Sequence, residues 1–349
     1  MQNIMHRKFP GRIYPINPAG GEVFGIPMCK TVEDCDGDID LATICIPAKH
    51  TFAAVKELAK RNTKFLSIIT SGFSEVGNLE EERNIVSFAR DHGMRVLGPN
   101  IFGIYSSVGP INATFGPPDV IPGSVSIITQ SGALGIAMMG KAKTENIGLS
   151  SIVSLGNKAD IDEADLLEYL IEQEATKVIM MYIEGIKNGE RFVETVKRAT
   201  QVKPVIVIKS GRSKRGAIAA ASHTGSLAGA DEIFSDIMKQ CGVMRVESLA
   251  EGLNWCKFLA HTPKPQGENC IIITNGGGMG VMAADACEKY GVNLYDNVQE
   301  MKDVFSPVVP EFGSTKNPVD ITGGAPIEDY SGAIDAAMAH DNIHSIICL

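Results

Sequence analysis

A chain of 349 residues with 44% apolar and 21% charged side chains is long enough for two or three domains and is composed like a globular protein. A formal net charge of -9, no basic run and an aromatic content of 6% argue against phosphate-backbone neutralisation and base stacking, so no nucleic-acid partner is expected. The longest apolar runs are strand-sized and Met1–Pro10 holds no signal core, so no membrane association is expected either.

The dominant rhythm is a short β-branched run, a Gly/Pro/Ser turn and an amphipathic helix, which predicts an α/β protein with parallel sheets. Ligands on such sheets sit at the strands' C-terminal ends. In the first region the pattern predicts strands at Arg12–Ile16, Asp40–Ile46, Lys64–Thr70 and Met94–Leu97, with helices at about His50–Arg61 and Leu79–His92. The turns after them, at Asn17-Pro18, Pro47, Ser71-Gly72 and Gly98-Pro99-Asn100, are therefore expected to line a crevice. A dinucleotide-type half opens with a strand and a Gly-rich phosphate turn. Here the pattern starts at what reads as the second strand, and the expectation is that the first βα unit is absent.

Gly116–Gly123 reads as a linker, followed by strands at Ser124–Thr129, Ser151–Leu155, Lys177–Ile183 and Pro204–Lys209. Helices are predicted from the Gln130–Gly135 turn to about Lys143, and at Glu163–Glu172, Gly189–Thr200, Asp231–Cys241 and Ser248–His261. A second linker, Thr262–Gly267, leads to a segment that repeats the one before it. Ile127–Gly135 aligns with Ile272–Gly280 without a gap at an offset of 145 residues, and both read as strand, Gly-rich turn and helix. The expected domains are thus 1–120, 124–262 and 268–349, the last ending inside a strand and expected to be cut short. Eight cysteines with no C-x-x-C spacing read as buried thiols of a reducing cytosol, not as metal ligands or disulfides, and no metal site is expected.

The chemistry-bearing stretch is Ala220–Gly229, where His223 stands among alanines, glycines and small hydroxyls. Alone it reads first as a histidine in a flexible turn, and only the rest of the chain reverses that reading; as a functional group, its imidazole is a nucleophile able to carry a phosphoryl group. Such a group needs N–H donors, and the helix N-termini at Ser131-Gly132-Ala133 and Gly276-Gly277-Gly278 offer them together with the positive ends of two helix dipoles. Glu184, at the C-terminal end of an apolar strand, is the candidate carboxylate to orient the imidazole and stabilise its charged form. Asp160, Asp162 and Glu163 read as helix N-terminal acids, and His50, His92, His261, His340 and His344 as structural or solvated.

In order along nearly the whole chain, Tyr14–Pro18, Ile68–Gly77, Leu97–Asn100, Gln130–Gly135, Ser154–Asp160, Glu184-Gly185, Lys209–Arg212, Ser222–Gly229 and Lys316–Asp320 resemble the α-type part of nucleoside-diphosphate-forming acyl-CoA synthetases. The likeness is greatest to the ADP-forming acetyl-CoA synthetases, relatives of the succinyl-CoA synthetase α subunit. The resemblance implies a Rossmann-like CoA-binding domain followed by two flavodoxin-like domains, with His223 as phosphohistidine and Glu184 as its partner. It implies that the turns at Ser131 and Gly276 receive phosphate, and that CoA or acetyl-CoA meets Asn17, Pro18, Pro47, Ser71, Gly72 and Asn100. It further implies reversible conversion of acyl-CoA, phosphate and ADP to acid, CoA and ATP through an acyl phosphate. ATP or ADP with Mg would sit on an ATP-grasp β subunit or fused C-terminal domain, and the assembly would be an oligomer. The chain departs from the pattern in lacking the N-terminal Gly-rich CoA loop and in carrying Ala19 where related chains often have lysine. The competing reading is a CoA-sensing or acetyltransferase-associated regulatory module that keeps the fold. A Rossmann dehydrogenase is disfavoured because no acidic ribose-binding residue follows Gly276 at a clear strand end.

Overall fold

The computed structural model describes residues 1–213, 215–216 and 231–349. They divide into two units, Met1–Thr262 and Pro263–Leu349. Among the described residues no helix is long and apolar enough to cross a membrane.

The first unit opens with α1 (Gln2–His6) and a two-stranded antiparallel ribbon, β1 (Glu22–Val23) and β2 (Ile26–Pro27). The strand expected at Arg12–Ile16 does not form; only Ile16 makes a single bridge, to Cys29. Prolines at 10, 15 and 18 remove ladder donors around it, which explains the loss. A parallel sheet of order β3-β4-β5 follows, from β3 (Leu41–Ile44), β4 (Phe65–Ile68) and β5 (Arg95–Leu97). Between them run α2 (Ala48–Ala59) and α3 (Leu79–Asp91). Val55 and Leu58 of α2 and Ile85 and Ala89 of α3 bury against Leu66, Ile68 and Val96.

A seven-stranded sheet comes next: β6 (Gly103–Ser106), β7 (Ile111–Thr114), β8 (Pro122–Thr129), β9 (Leu149–Ser154), β10 (Val178–Ile183), β11 (Val205–Lys209) and β12 (Met244–Val246). Its order is β12-β11-β10-β8-β9-β6-β7. The first five are parallel, and the β6–β7 hairpin joins antiparallel on β9. Residues 103–114, placed by sequence in the first domain, are therefore strands of the second sheet. Tyr105, fully buried, pairs with Ile152 and joins the same apolar cluster, which is what draws the hairpin there.

Both faces of this sheet are apolar, as a parallel sheet covered on two sides requires. Ile127, Met180 and Ile206 pack under α4 (Gly132–Thr144) and α8 (Leu249–His261). Ile128, Ile179, Met181, Val205 and Val207 pack under α5 (Glu163–Glu172), α6 (Gly189–Val202) and α7 (Asp231–Gln240).

The second unit is a parallel sheet of order β14-β13-β15, from β13 (Cys270–Thr274), β14 (Val319–Asp320) and β15 (Ser345–Cys348). Its helices are α9 (Gly277–Tyr290), α10 (Val298–Phe305) and α11 (Ile327–Met338). Ile271, Ile273, Met301, Phe305, Val319, Ala333 and Ala337 form its core.

The repeat seen in sequence extends to the hydrogen bonds. Thr129 Oγ1 donates to Ser131 O at 3.0 Å and accepts from Ser131 N at 3.2 Å; Thr274 Oγ1 does the same with Gly276, at 3.1 and 3.0 Å. The same threonines also explain the glycines one helical turn on. A Cβ at Gly135 would lie 2.9 Å from Thr129 Cγ2 and 2.3 Å from a Phe102 ring carbon, and one at Gly280 would lie 3.0 Å from Thr274 Cγ2. Both helices must approach their own strand that closely. Gly135→Ala is thus expected to cost about 1–3 kcal/mol through overpacking, read as a lower denaturation midpoint at an unchanged m-value. A wild-type midpoint would contradict the close-approach argument.

Candidate active site

The C-terminal edge of the seven-stranded sheet gathers four chain segments. Tyr182 pairs with Thr129 and Ile183 with Lys209, while Leu155 N donates to Thr129 O at 2.8 Å. The residues that leave β8, β9, β10 and β11 there are Gln130-Ser131, Leu155–Lys158, Glu184-Gly185 and Ser210.

Glu184 is only 9% exposed, and its backbone is held on both sides. Gln130 Oε1 accepts from Glu184 N and, at 3.1 Å, from Gly185 N. Lys209 Nζ donates to Glu184 O at 2.8 Å, and Lys158 Nζ donates to Gly185 O. Two buried ammonium groups thus flank the residue. Burial pushes the Lys209 amine below its ordinary value, the first effect among several that include neighbouring charges. Lys158 also pairs with Glu163 at 2.7 Å, with both side chains almost fully buried. Burial raises Glu163 above the usual carboxylate range despite the Lys158 charge.

Ser131 caps α4, its Oγ accepting from Leu134 N at 3.4 Å. The N–H groups of Gly132 and Ala133 belong to the first turn and have no intrahelical acceptor. Gln130 and Ser131 thus bring this helix N-terminus beside Glu184. In the second unit Gly276 stands at the N-cap of α9 with no side-chain cap bond, and the Gly277 and Gly278 N–H groups are likewise open. There, however, the Asp320 carboxylate lies beside Gly277: a Cβ at Gly277 would be 3.3 Å from Asp320 Oδ2. An acid at that terminus complements the dipole and competes with an anion for it. His223 lies outside the described residues.

At the first sheet the strand ends converge as expected for three of the four turns. Gly72 lies against Ala48, next to Pro47 at the start of α2. Thr70 Oγ1 donates to Ile46 O at 2.7 Å, and Thr70 O accepts from Asn100 N at 2.9 Å. These bonds bring Pro47, Ser71-Gly72 and Asn100 to one edge. The bonds of Asn17 run elsewhere: its N–H donates to Cys29 O, its Oδ1 accepts from Ala19 N and its carbonyl accepts from Gly20 N.

The acids at the start of α5 separate into different roles. Asp162 is the N-cap, accepting from Ala164 N and Asp165 N, as the sequence suggested. Asp160 instead accepts from Arg90 Nη2 at 2.6 Å, Arg95 Nε at 3.0 Å and Val96 N at 2.7 Å, with its side chain fully buried. It joins the two sheets of the first unit. Gln130, Asn157, Lys158 and Lys209 carry structural duties at this edge that sequence reasoning left unassigned. A signal existed for Lys209, a charge closing the apolar run Val205–Ile208.

Three family descriptions cover the chain: a CoA binding domain over residues 2–107, a succinyl-CoA ligase like flavodoxin domain over 122–259 and a Ligase-CoA domain over 270–349. Fold and site together therefore define a CoA ligase of the succinyl-CoA ligase-like class. The chain is 50% identical over its whole length to the acetate–CoA ligase [ADP-forming] I subunit alpha of Pyrococcus furiosus, spanning 77% of that protein. It is 36% identical to the 4-hydroxybutyrate–CoA ligase [ADP-forming] of Nitrosopumilus maritimus, spanning 50% of it. Among solved structures, acetyl-coenzyme A synthetase 1 of Ca. Korarchaeum cryptofilum, in complex with phosphate and ADP, superposes with a TM-score of 0.96 at 43% identity, covering 99% of this chain and 75% of that one. The chain belongs to the ADP-forming acetate–CoA ligase family.

Proposed function

We propose that this chain is the α-type component of an ADP-forming acyl-CoA synthetase, reversibly converting acyl-CoA, phosphate and ADP to acid, CoA and ATP. Phosphate attacks the thioester to give acyl phosphate and free CoA, and His223 then takes the phosphoryl group and releases the carboxylate. The phosphoryl group passes from His223 to ADP, held with Mg on an ATP-grasp subunit or fused domain. Residues 1–120, except the 103–114 hairpin, supply the CoA face at Pro47, Ser71, Gly72 and Asn100. Residues 124–262 carry His223, and 268–349 the second helix N-terminus at Gly276–Gly278.

The observation that carries this reading is the edge where a buried Glu184 and the N-terminus of α4 meet through Gln130, in a chain 50% identical to a named ligase subunit. The eight free thiols suit a reducing cytoplasm. The relatives bear ligase names, so the sensor reading gains no support. The test is to assemble the chain with an ATP-grasp partner and supply γ-labelled ATP. Acid-labile, base-stable label is expected on the chain, discharged by acid plus CoA. Absence of label, or label that CoA and acid cannot discharge, would refute the proposal.

A further inference from the structure

We propose that Asn157 is a positioning residue: it holds the Gly72–Ser74 loop of the first sheet against the sheet edge that carries Glu184, and so places the thioester relative to the phosphoryl-transfer groups. This rests on the reading above.

Among the described residues, the Asn157 side chain bonds to groups of the first sheet's connections. Its Nδ2 donates to Glu75 Oε2 at 2.6 Å and to Glu82 Oε2 at 2.8 Å, and its Oδ1 accepts from Asn100 Nδ2 at 3.3 Å. The two carboxylates in turn hold the loop. Glu75 accepts from Gly72 N and Phe73 N, and Glu82 accepts from Ser74 N at 3.2 Å and Ser74 Oγ at 2.6 Å. Asn157's carbonyl and its chain continuation belong to the other side. Its carbonyl accepts from Lys187 Nζ at 2.9 Å, and the next residue is Lys158, bonded to Gly185 O.

The residue type follows from the donor inventory. Two neighbouring carboxylates need two N–H protons, and a primary amide supplies one to each while offering an oxygen to Asn100, which lysine and arginine cannot. The backbones also meet closely here: a Cβ at Gly156 would lie 2.2 Å from Pro99 O, and Asn157 N donates to Pro99 O at 3.0 Å. The CoA-side turns 72–74 and 99–100 are therefore both referenced to one residue of the Glu184 edge. Aspartate at 157 keeps the shape, but it places a third carboxylate against Glu75 and Glu82 and removes both donors.

The experiment compares wild type, Asn157→Asp and Asn157→Ser in the assembled enzyme by three readouts. Labelling of His223 from ATP needs no thioester, and it is expected to stay within about twofold of wild type. ATP formation from acyl-CoA, phosphate and ADP is expected to fall about 10–100-fold, the scale of a misplaced reactant. Hydrogen exchange at the Gly72, Phe73 and Ser74 amides is expected to accelerate in both variants. Equal loss in both half-reactions, or retention of both, would overturn the inference. Should wild type itself fail to label, the phosphohistidine reading falls, and unchanged exchange at 72–74 would by itself overturn the positioning role.

Discussion

In a Glu184→Gln chain assembled with an ATP-grasp partner, phosphoryl transfer to residue 223 slows by about 10²–10⁴-fold, and a His223→Ala chain takes up no base-stable label. The structure makes the first substitution a clean one. Glu184 follows directly on β10, with its N–H on Gln130 Oε1 and its carbonyl on Lys209 Nζ, so glutamine keeps the main-chain contacts and the volume. What is lost is the charge. A neutral imidazole has two tautomers, and a carboxylate both selects one and stabilises the cation that forms when the ring accepts a phosphoryl group. The chain should therefore still fold, by circular dichroism, while the labelling rate collapses. Wild-type labelling kinetics for Glu184→Gln would remove Glu184 from the mechanism; undiminished label in His223→Ala would remove His223.

Lys158→Ala is expected to destabilise the chain by about 3–5 kcal/mol, because it leaves a buried carboxylate without its partner. The Lys158 and Glu163 side chains are 4% and 3% exposed, and Lys158 also serves Gly185 O. The Lys158→Met, Glu163→Gln double variant leaves no unpaired charge and should recover a large part of the loss, as buried pairs replaced together usually do. The pH dependence adds a second check. The folded pKa of Glu163 already lies above its unfolded value, so its favourable contribution is complete below the unfolded glutamate pKa of about 4.3 and fades as pH rises through the folded one. Without Lys158 that upward shift grows. The deficit of Lys158→Ala, measured by urea unfolding, should be largest near neutral pH and shrink on acidification. A deficit that is constant with pH, or under about 1 kcal/mol, would mean that the pair adds little.

Much of the architecture was legible because it rests on local patterns. Apolar strand runs ending in Gly, Pro or Ser turns placed β3, β4, β5 and β8–β11, and the 145-residue offset announced two helix N-termini whose threonine turns proved alike. The β6–β7 hairpin was missed, and its sheet membership is a tertiary matter: four-residue strands carry too little pattern to say which edge they join. Asp160 was misread for a related reason. An acid two residues ahead of an N-cap looks like a dipole partner, and only the approach of Arg90, Arg95 and Val96 from the first sheet gives it another duty.

By itself the sequence determined the class of chain and most of its alternating strands and helices, and it pointed to residue types able to move a phosphoryl group. Those follow from periodicity, turn chemistry and the nucleophilicity of a lone imidazole, all of which act over a few neighbouring residues. The tertiary structure decided which groups share an edge: Gln130 beside Glu184, two buried lysines on the carbonyls of 184 and 185, and Asn157 between Glu75 and Glu82. Those contacts join residues far apart in the chain, and their strength comes from burial, which no local pattern of side chains encodes.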